Sequence, residues 1–210
     1  MISVFLGAPG SGKGTQAKKL SVKAGVPQLS TGDMLRAAIA SGSELGKRAK
    51  AFIDQGQLVP DDVVIGLIRE RTLLADCRPG FILDGFPRTV GQAEGLETML
   101  QGLGRSLDRV ILFSISEEAL IERLTGRRTC MQCSAMYHIR FKAPRVEAVC
   151  DSCGGALIQR SDDSLDVIQK RMSVFKEQTS RLEAYYRDRD LLSVIDASLS
   201  PEQVFDQLVC

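Results

Sequence analysis

The sequence carries almost no surplus charge. Its 27 basic and 26 acidic residues leave a formal net charge of +1, so no global field draws the chain to nucleic acid or to an anionic membrane, and any cationic function has to be local. Long apolar runs are also missing, and none approaches the roughly 20 residues of a membrane span. Even so, 44% of the residues are hydrophobic, which is enough for a substantial core. No charged and then apolar leader precedes the first strand-like segment, which gives the expectation of an unsecreted, cytoplasmic protein. Aromatic residues make up only 5% and are not interleaved with basic ones, which counts against a nucleic-acid-binding surface. His138 is the only histidine.

What is present begins at the N-terminus. Residues 2–6 form a short apolar run of strand length. The run breaks into Gly7, Pro9, Gly10, Gly12 and Gly14 around Lys13, and helix-forming residues follow over 16–23. Strand, glycine loop, lysine and helix in that order describe a phosphate cradle. The glycines let backbone N–H groups turn inward, the new helix points its positive end at the same spot, and Lys13 adds a full charge. The common consensus has Ser or Thr directly after the lysine, whereas here Gly14 intervenes and Thr15 follows.

Further strands are expected at 26–29, 81–83, 110–113 and 194–195. They alternate with helices over 34–40, around Leu45, Ala49, Phe52 and Ile53, after Pro60, after Ser116, after Asp163 and after Ser200. Asp61 is the candidate cap of the helix opened by Pro60, with Val64, Leu67, Ile68 and Leu74 facing inward. Ser116 caps the next helix, with Glu117 and Glu118 in its first turn. The long helix after Asp163 turns Ile168, Met172, Phe175, Leu182 and Tyr186 to the core. Ser200 and Gln203 resemble a capping box. The alternation implies a mostly parallel sheet, with a ligand at the carboxyl ends of its strands. The strand at 81–83 runs into Asp84, where phosphate-loop enzymes place a magnesium-orienting carboxylate.

Four of the six cysteines, Cys130, Cys133, Cys150 and Cys153, are spaced C-x2-C-x16-C-x2-C. Each pair can form a knuckle, and two knuckles complete a tetrahedral thiolate shell for structural zinc, or for iron. Such a site leaves no open position for a reactive water. Metal binding, on the order of 10 kcal/mol or more, would order a stretch with few core residues. Two disulfides are the alternative. His138 is read as a solvated loop histidine, or as a competing ligand. Arg123, Arg127, Arg128, Arg160 and Arg171 flank the module and would suit a polyphosphate. Cys77 and Cys210 stand alone.

With these residues in hand, the whole chain resembles the adenylate kinase family, of the bacterial type with a long, metal-bearing lid. The resemblance rests on GAPGSGKGTQA at 7–17, STGDMLRAA at 30–38, LDGFPRT at 83–89, GRR at 126–128 and RSDD at 160–163. It implies a P-loop NTPase-like α/β fold with a five-stranded parallel sheet flanked by helices. Residues 1–29, 60–126 and 160–210 would be the core, 30–59 a helical AMP-binding insertion and 127–159 a zinc-binding lid. The implied reaction is reversible phosphoryl transfer from MgATP to AMP, giving two ADP. By the same resemblance Gly10, Ser11, Gly12, Lys13, Gly14 and Thr15 hold the ATP phosphates, and Met136, Tyr137 and Ser200 lie near the ATP base. Thr31, Arg36, Gln57, Leu58, Val59, Gly85, Phe86, Pro87, Arg88 and Gln92 form the AMP site. Asp84 is a magnesium ligand through water. Lys13, Arg88, Arg123, Arg127, Arg160 and Arg171 carry the chemistry, with Arg160 and Arg171 also touching substrate. Asp162 and Asp163 are either a lid-closing pair or a helix start. The expected ligands are ATP, AMP and ADP with Mg2+ and structural Zn2+, and the expected state is a monomer without nucleic-acid or membrane partners. The alternatives are a UMP/CMP- or GMP-type kinase, a nucleic-acid-binding zinc ribbon, and an NTPase that uses water. The lid departs from the family in having Ala143 and Ala148 where Pro and Gly are usual.

Overall fold

β1 (Ile2–Leu6) is buried at every position, as a strand covered on both faces must be. It is the middle of the main sheet in the computed structural model, which describes residues 1–209; Cys210 lies outside the described residues. The other strands are β2 (Gln28–Ser30), β3 (Phe81–Asp84), β4 (Arg109–Ser114), β5 (Arg127–Cys130), β6 (Met136–His138), β7 (Leu157–Ile158) and β8 (Leu192–Asp196). The helices are α1 (Lys13–Ala24), α2 (Thr31–Ala40), α3 (Glu44–Asp54), α4 (Asp61–Thr72), α5 (Val90–Gly102), α6 (Glu117–Thr125), α7 (Leu165–Val174), α8 (Arg181–Arg187) and α9 (Pro201–Val209).

The main sheet is five-stranded and parallel, in the order β2-β3-β1-β4-β8. From β1 the chain goes first to one side and then to the other, so the crevice above β1 is the switch point where such sheets bind ligands. The two faces of the sheet feed different cores. Val4, Phe81, Leu83 and Val110 pack with α4, α5 and α8, whereas Phe5, Ile82, Ile111 and Phe113 pack with α1 and α9. A second, antiparallel sheet in the order β6-β5-β7 carries the cysteines.

Several local expectations change. The second strand lies at Gln28–Ser30 and not at 26–29. Helix α2 starts at Thr31, earlier than expected, because the Ser30 hydroxyl accepts the Asp33 N–H at 3.3 Å and caps it. Asp61 is not a cap: Pro60 holds that position and the carboxylate turns to Thr89 and Gln92. Leu74 faces solvent at 54% exposure, just past the helix end. The long helix after Asp163 is split by a wide π turn at Phe175–Thr179, and Asp162 and Asp163 sit before it in a 3-10 turn. Helix α5 and the antiparallel sheet have no counterpart in the sequence reading. The Ser200 capping box forms as expected: its N–H donates to Gln203 Oε1 at 3.2 Å, and its hydroxyl accepts the Gln203 N–H at 3.3 Å.

Candidate active site

The loop after β1 closes into α1 through Gly12, whose φ of 93° is a left-handed conformation that side chains resist. Lys13 Nζ folds back over this loop and donates to the Gly7 and Ala8 carbonyls at 2.7 and 2.8 Å and to Ser11 Oγ at 3.2 Å. Burial lowers its pKa to about 8; Asp84 opposes that shift and Arg88, Arg171 and Arg127 add to it. An anion beside Lys13 would restore its charge.

Asp84, at the end of β3, is half-buried, and desolvation raises its pKa against the pull of Lys13 and of Gln28, whose Nε2 donates to Oδ2 at 2.9 Å. A Cβ on Gly14 would come within 3.1 Å of that Oδ2, so Gly14 stands where the consensus hydroxyl would crowd the carboxylate. A carboxylate beside a phosphate loop suits magnesium, which keeps most of its waters and takes few protein ligands.

Around Lys13 lies one cleft of about 920 Å³. Gly10, Ser11, Gly12, Gly14, Thr15, Asp84, Met136, Tyr137 and Ser200 line it, as do Thr31, Arg36, Gln57, Leu58, Val59, Gly85, Pro87, Arg88 and Gln92. Arg123, Arg127, Arg160 and Arg171 also face it. Phe86 does not: its side chain is buried in the core. Gln92 is held by Asp61 at 2.7 Å on Nε2 and by the Arg88 N–H at 2.7 Å on Oε1. A carboxylate only accepts and an N–H only donates, so these two partners set the amide's orientation and leave one N–H and one lone pair for a ligand.

The arginines rest on carboxylates that sequence reasoning either assigned differently or missed. Arg127 pairs in bidentate fashion with the fully buried Asp163 at 2.7 and 2.5 Å. Arg171 reaches Asp162 at 3.0 Å and Asp163 at 3.2 Å. Arg160 donates to Thr129 Oγ1 at 2.9 Å and lies 3.6 Å from Asp33, which also pairs with Arg36. Burial would raise the Asp162 pKa, but Arg171, Arg36, Arg127 and Arg160 outweigh it and hold it below the usual carboxylate range. Burial and neighbouring arginines lower Arg88 and Arg160 to about 10. Arg123 has no ion-pair partner among the described residues and is lowered by desolvation. Desolvation is the leading cause of each lowering, and a polyphosphate beside these cations would offset it.

In the small sheet the four cysteine sulfurs lie within 4.8 Å of one another. Cys130 and Cys153 approach to 3.5 Å, and Cys133 and Cys150 to 3.6 Å. Zn–S bonds of 2.3 Å arranged tetrahedrally put sulfurs about 3.8 Å apart, so the set fits that ion. Desolvation opposes ionisation of Cys150, but the Tyr137 hydroxyl and backbone N–H groups lower it to about 6. Cys153 is raised to about 12: the Gly155 N–H favours its thiolate, but Cys133 and Cys130 outweigh that. Four thiolates this close would need a cation to offset their charge. His138 is neither solvated nor a ligand: it is 9% exposed. Its Nδ1 accepts the Arg140 and Phe141 N–H groups at 3.0 and 3.2 Å, and its Nε2 is 3.2 Å from the Glu122 carbonyl, so the proton sits on Nε2. Its ring lies over Gly126, where a Cβ would come within 2.2 Å.

A family model described as adenylate kinase matches residues 5–191. The chain is 50% identical to an adenylate kinase of Archaeoglobus fulgidus over 205 residues, 98% of this chain and 94% of the relative. It is 51% identical to one of Carboxydothermus hydrogenoformans, covering 96% and 94%. For one of Moorella thermoacetica the identity is 52%, covering 93% and 90%.

Proposed function

The chain belongs to the adenylate kinase family, and from that premise we propose that its cleft holds ATP over the glycine loop and AMP beside α2, with Lys13 and Arg88 between them. The enzyme is a nucleoside monophosphate kinase, an ATP:AMP phosphotransferase. Its reaction forms a bond from an AMP phosphate oxygen to the γ-phosphorus and breaks the bond to the β,γ-bridging oxygen. The nucleophile is already anionic, so the chain needs no general base; its work is alignment and charge stabilisation. Magnesium, when bound, neutralises charge on the ATP phosphates, and Asp84 is the residue that would hold its waters.

In this reading Lys13 leaves the Gly7 and Ala8 carbonyls for the ATP phosphates. Arg36 and Arg88 clasp the AMP phosphate. Thr31 and Gln92 read its base, Gln92 in the orientation that Asp61 imposes, and the backbone of Gln57, Leu58 and Val59 borders it. Arg123, Arg127, Arg160 and Arg171 close on the transferring group. We assign residues 1–29, 60–126 and 160–210 to the core, 30–59 to the AMP-binding insertion and 127–159 to a zinc-holding lid that excludes water. A cytoplasmic monomer without nucleic-acid or membrane partners completes the proposal. The balanced charge supports it, and among the described residues no helix is long and apolar enough to cross a membrane.

The observation that carries the reading is the single cleft shared by the glycine loop, the arginines and the pocket around Gln92. Mixing the protein with ADP and magnesium should yield ATP and AMP in equal amounts, and metal analysis should find one zinc per chain. Phosphate release in excess of AMP formation would overturn the transfer assignment. Zinc absent from fully active protein would overturn the metal assignment.

A further inference from the structure

Tyr137 stands between the cysteines and the cleft. Its hydroxyl oxygen accepts the Asp151 N–H at 2.9 Å and lies 3.6 Å from Cys150 Sγ in a buried contact. The backbone N–H can only donate, so the phenol keeps its own proton for sulfur, and to a metal-bound Cys150 thiolate, which has no proton to give, Tyr137 is the donor. Such donors to a metal ligand orient it and tune its bond to the metal. The same residue sits in β6, where it pairs with Arg128, next to the pairing of Met136 with Thr129. Met136 Cε reaches within 3.7 Å of where a Cβ on Gly14 would stand, directly over the phosphate loop. Thr129 carries the hydroxyl that holds Arg160, and Cys130 follows it at the end of β5. The paired strands therefore carry Met136 and Thr129, which reach the loop and Arg160, directly beside Cys130.

We propose that Tyr137 is a positioning residue that couples the four-cysteine centre to the ATP half of the cleft, so that metal at the sulfurs and ATP at the loop strengthen each other's binding. This rests on the zinc and ATP assignments above and adds the link between them. Linkage makes the effect reciprocal: ATP must raise the affinity for zinc by the same factor by which zinc raises the affinity for ATP. Tyr137→Phe keeps the ring in the lid core but leaves Cys150 without its hydroxyl donor and the Asp151 N–H without its acceptor.

The test measures zinc loss to a chromogenic chelator for the zinc-loaded wild type and Y137F, with and without the magnesium complex of the β,γ-imido analogue of ATP. The wild type should lose zinc more slowly with the analogue. Y137F should lose it about 10–100-fold faster, with the analogue's protection reduced. Affinity for the analogue should fall while affinity for AMP holds, and KM for ATP should rise more than kcat falls. In cobalt-substituted protein the thiolate-to-metal charge-transfer band should shift in Y137F, a change that loss of general packing does not produce. Zinc loss at the wild-type rate, or undiminished protection by the analogue, overturns the coupling. Wild type that binds no zinc is a different failure and removes the metal assignment along with it.

Discussion

The parallel core and the cysteine module are built from different materials. The core buries Phe5, Phe81, Phe86, Phe113 and many aliphatic residues almost completely, each worth about 1.5–3 kcal/mol relative to exposure. The module's buried cluster is only Cys130, Tyr137, Cys150 and Leu157, while Met131, Phe141 and Val146 lie exposed. Backbone conformation differs in the same way. In the core, left-handed residues are glycines except for Asp190, but in the module Ser134 and Ala148 adopt that conformation alongside Gly154. One region is shaped by apolar burial and has glycine where the backbone needs it. The other has little core and some backbone strain, and it gathers four sulfurs where a metal would tie the strands together.

The sharpest test of the comparison separates chemistry from scaffold. Lys13→Ala removes a cation from a loop whose shape is set by backbone and by the strand beneath it, so turnover should fall on the order of 10³-fold or more with melting close to wild type. A large drop in melting temperature would show that the loop is not a rigid platform. Cys130→Ser attacks the other region. It should reduce zinc content and lower the melting temperature by about 5–10 °C, which corresponds to roughly 2–3 kcal/mol for a chain of this size. A Cys130 variant with wild-type melting and metal content would erase the distinction between the two regions.

A smaller effect comes from Lys13 itself. Its pKa in the folded protein is lowered from 10.5 to about 8, chiefly by burial, so below pH 8 the fold carries the cost of a buried ammonium. That cost is relieved as pH rises from about 8 toward 10.5. The ligand-free protein should therefore gain stability from this group over that window, while its affinity for ATP falls. The profile of kcat/KM for ATP, which reports the free enzyme, should bend downward near pH 8. The bend in kcat should lie higher, because bound phosphates restore the charge. Coincident bends in the two profiles would show that the phosphates do not approach Lys13.

What could be read in advance follows the same division. The glycine loop occupies one continuous stretch between a strand and a helix, and the place of Asp84 was legible because it ends an apolar strand. The capping box at Ser200 was equally local. Pairings between distant segments left no local signal. Nothing near Asp163 says that it neutralises Arg127, nothing near Asp61 says that it orients Gln92, and Gln28 gives no hint of its bond to Asp84. Thr89 caps helix α5 through the Gln92 N–H, but it follows Arg88 directly, where a hydroxyl reads equally well as part of a ligand site. His138 was misjudged because its three backbone partners come from α6 and from a turn that the sequence does not announce.

The smallest effect comes from the module's backbone. Ala148 has a φ of 59°, a conformation that costs an L residue roughly 1–2 kcal/mol and glycine almost nothing. Its carbonyl accepts the Leu157 N–H at 2.9 Å, and the bridge between Val149 and Ala156 follows directly, so the position cannot relax without undoing the knuckle that carries Cys150. Ala148→Gly should relieve the strain, offset by the greater freedom glycine gives the unfolded chain, about 0.4–1 kcal/mol. The net gain should be at most about 1 kcal/mol, read as slower zinc loss to a chelator, with little change in the melting of the core. The same substitution at Ala143, which has no left-handed backbone, should bring no gain. If Ala148→Gly instead weakened zinc retention, strain at that residue would not be what the thiolate centre offsets, and the contrast in backbone between module and core would have no energetic content.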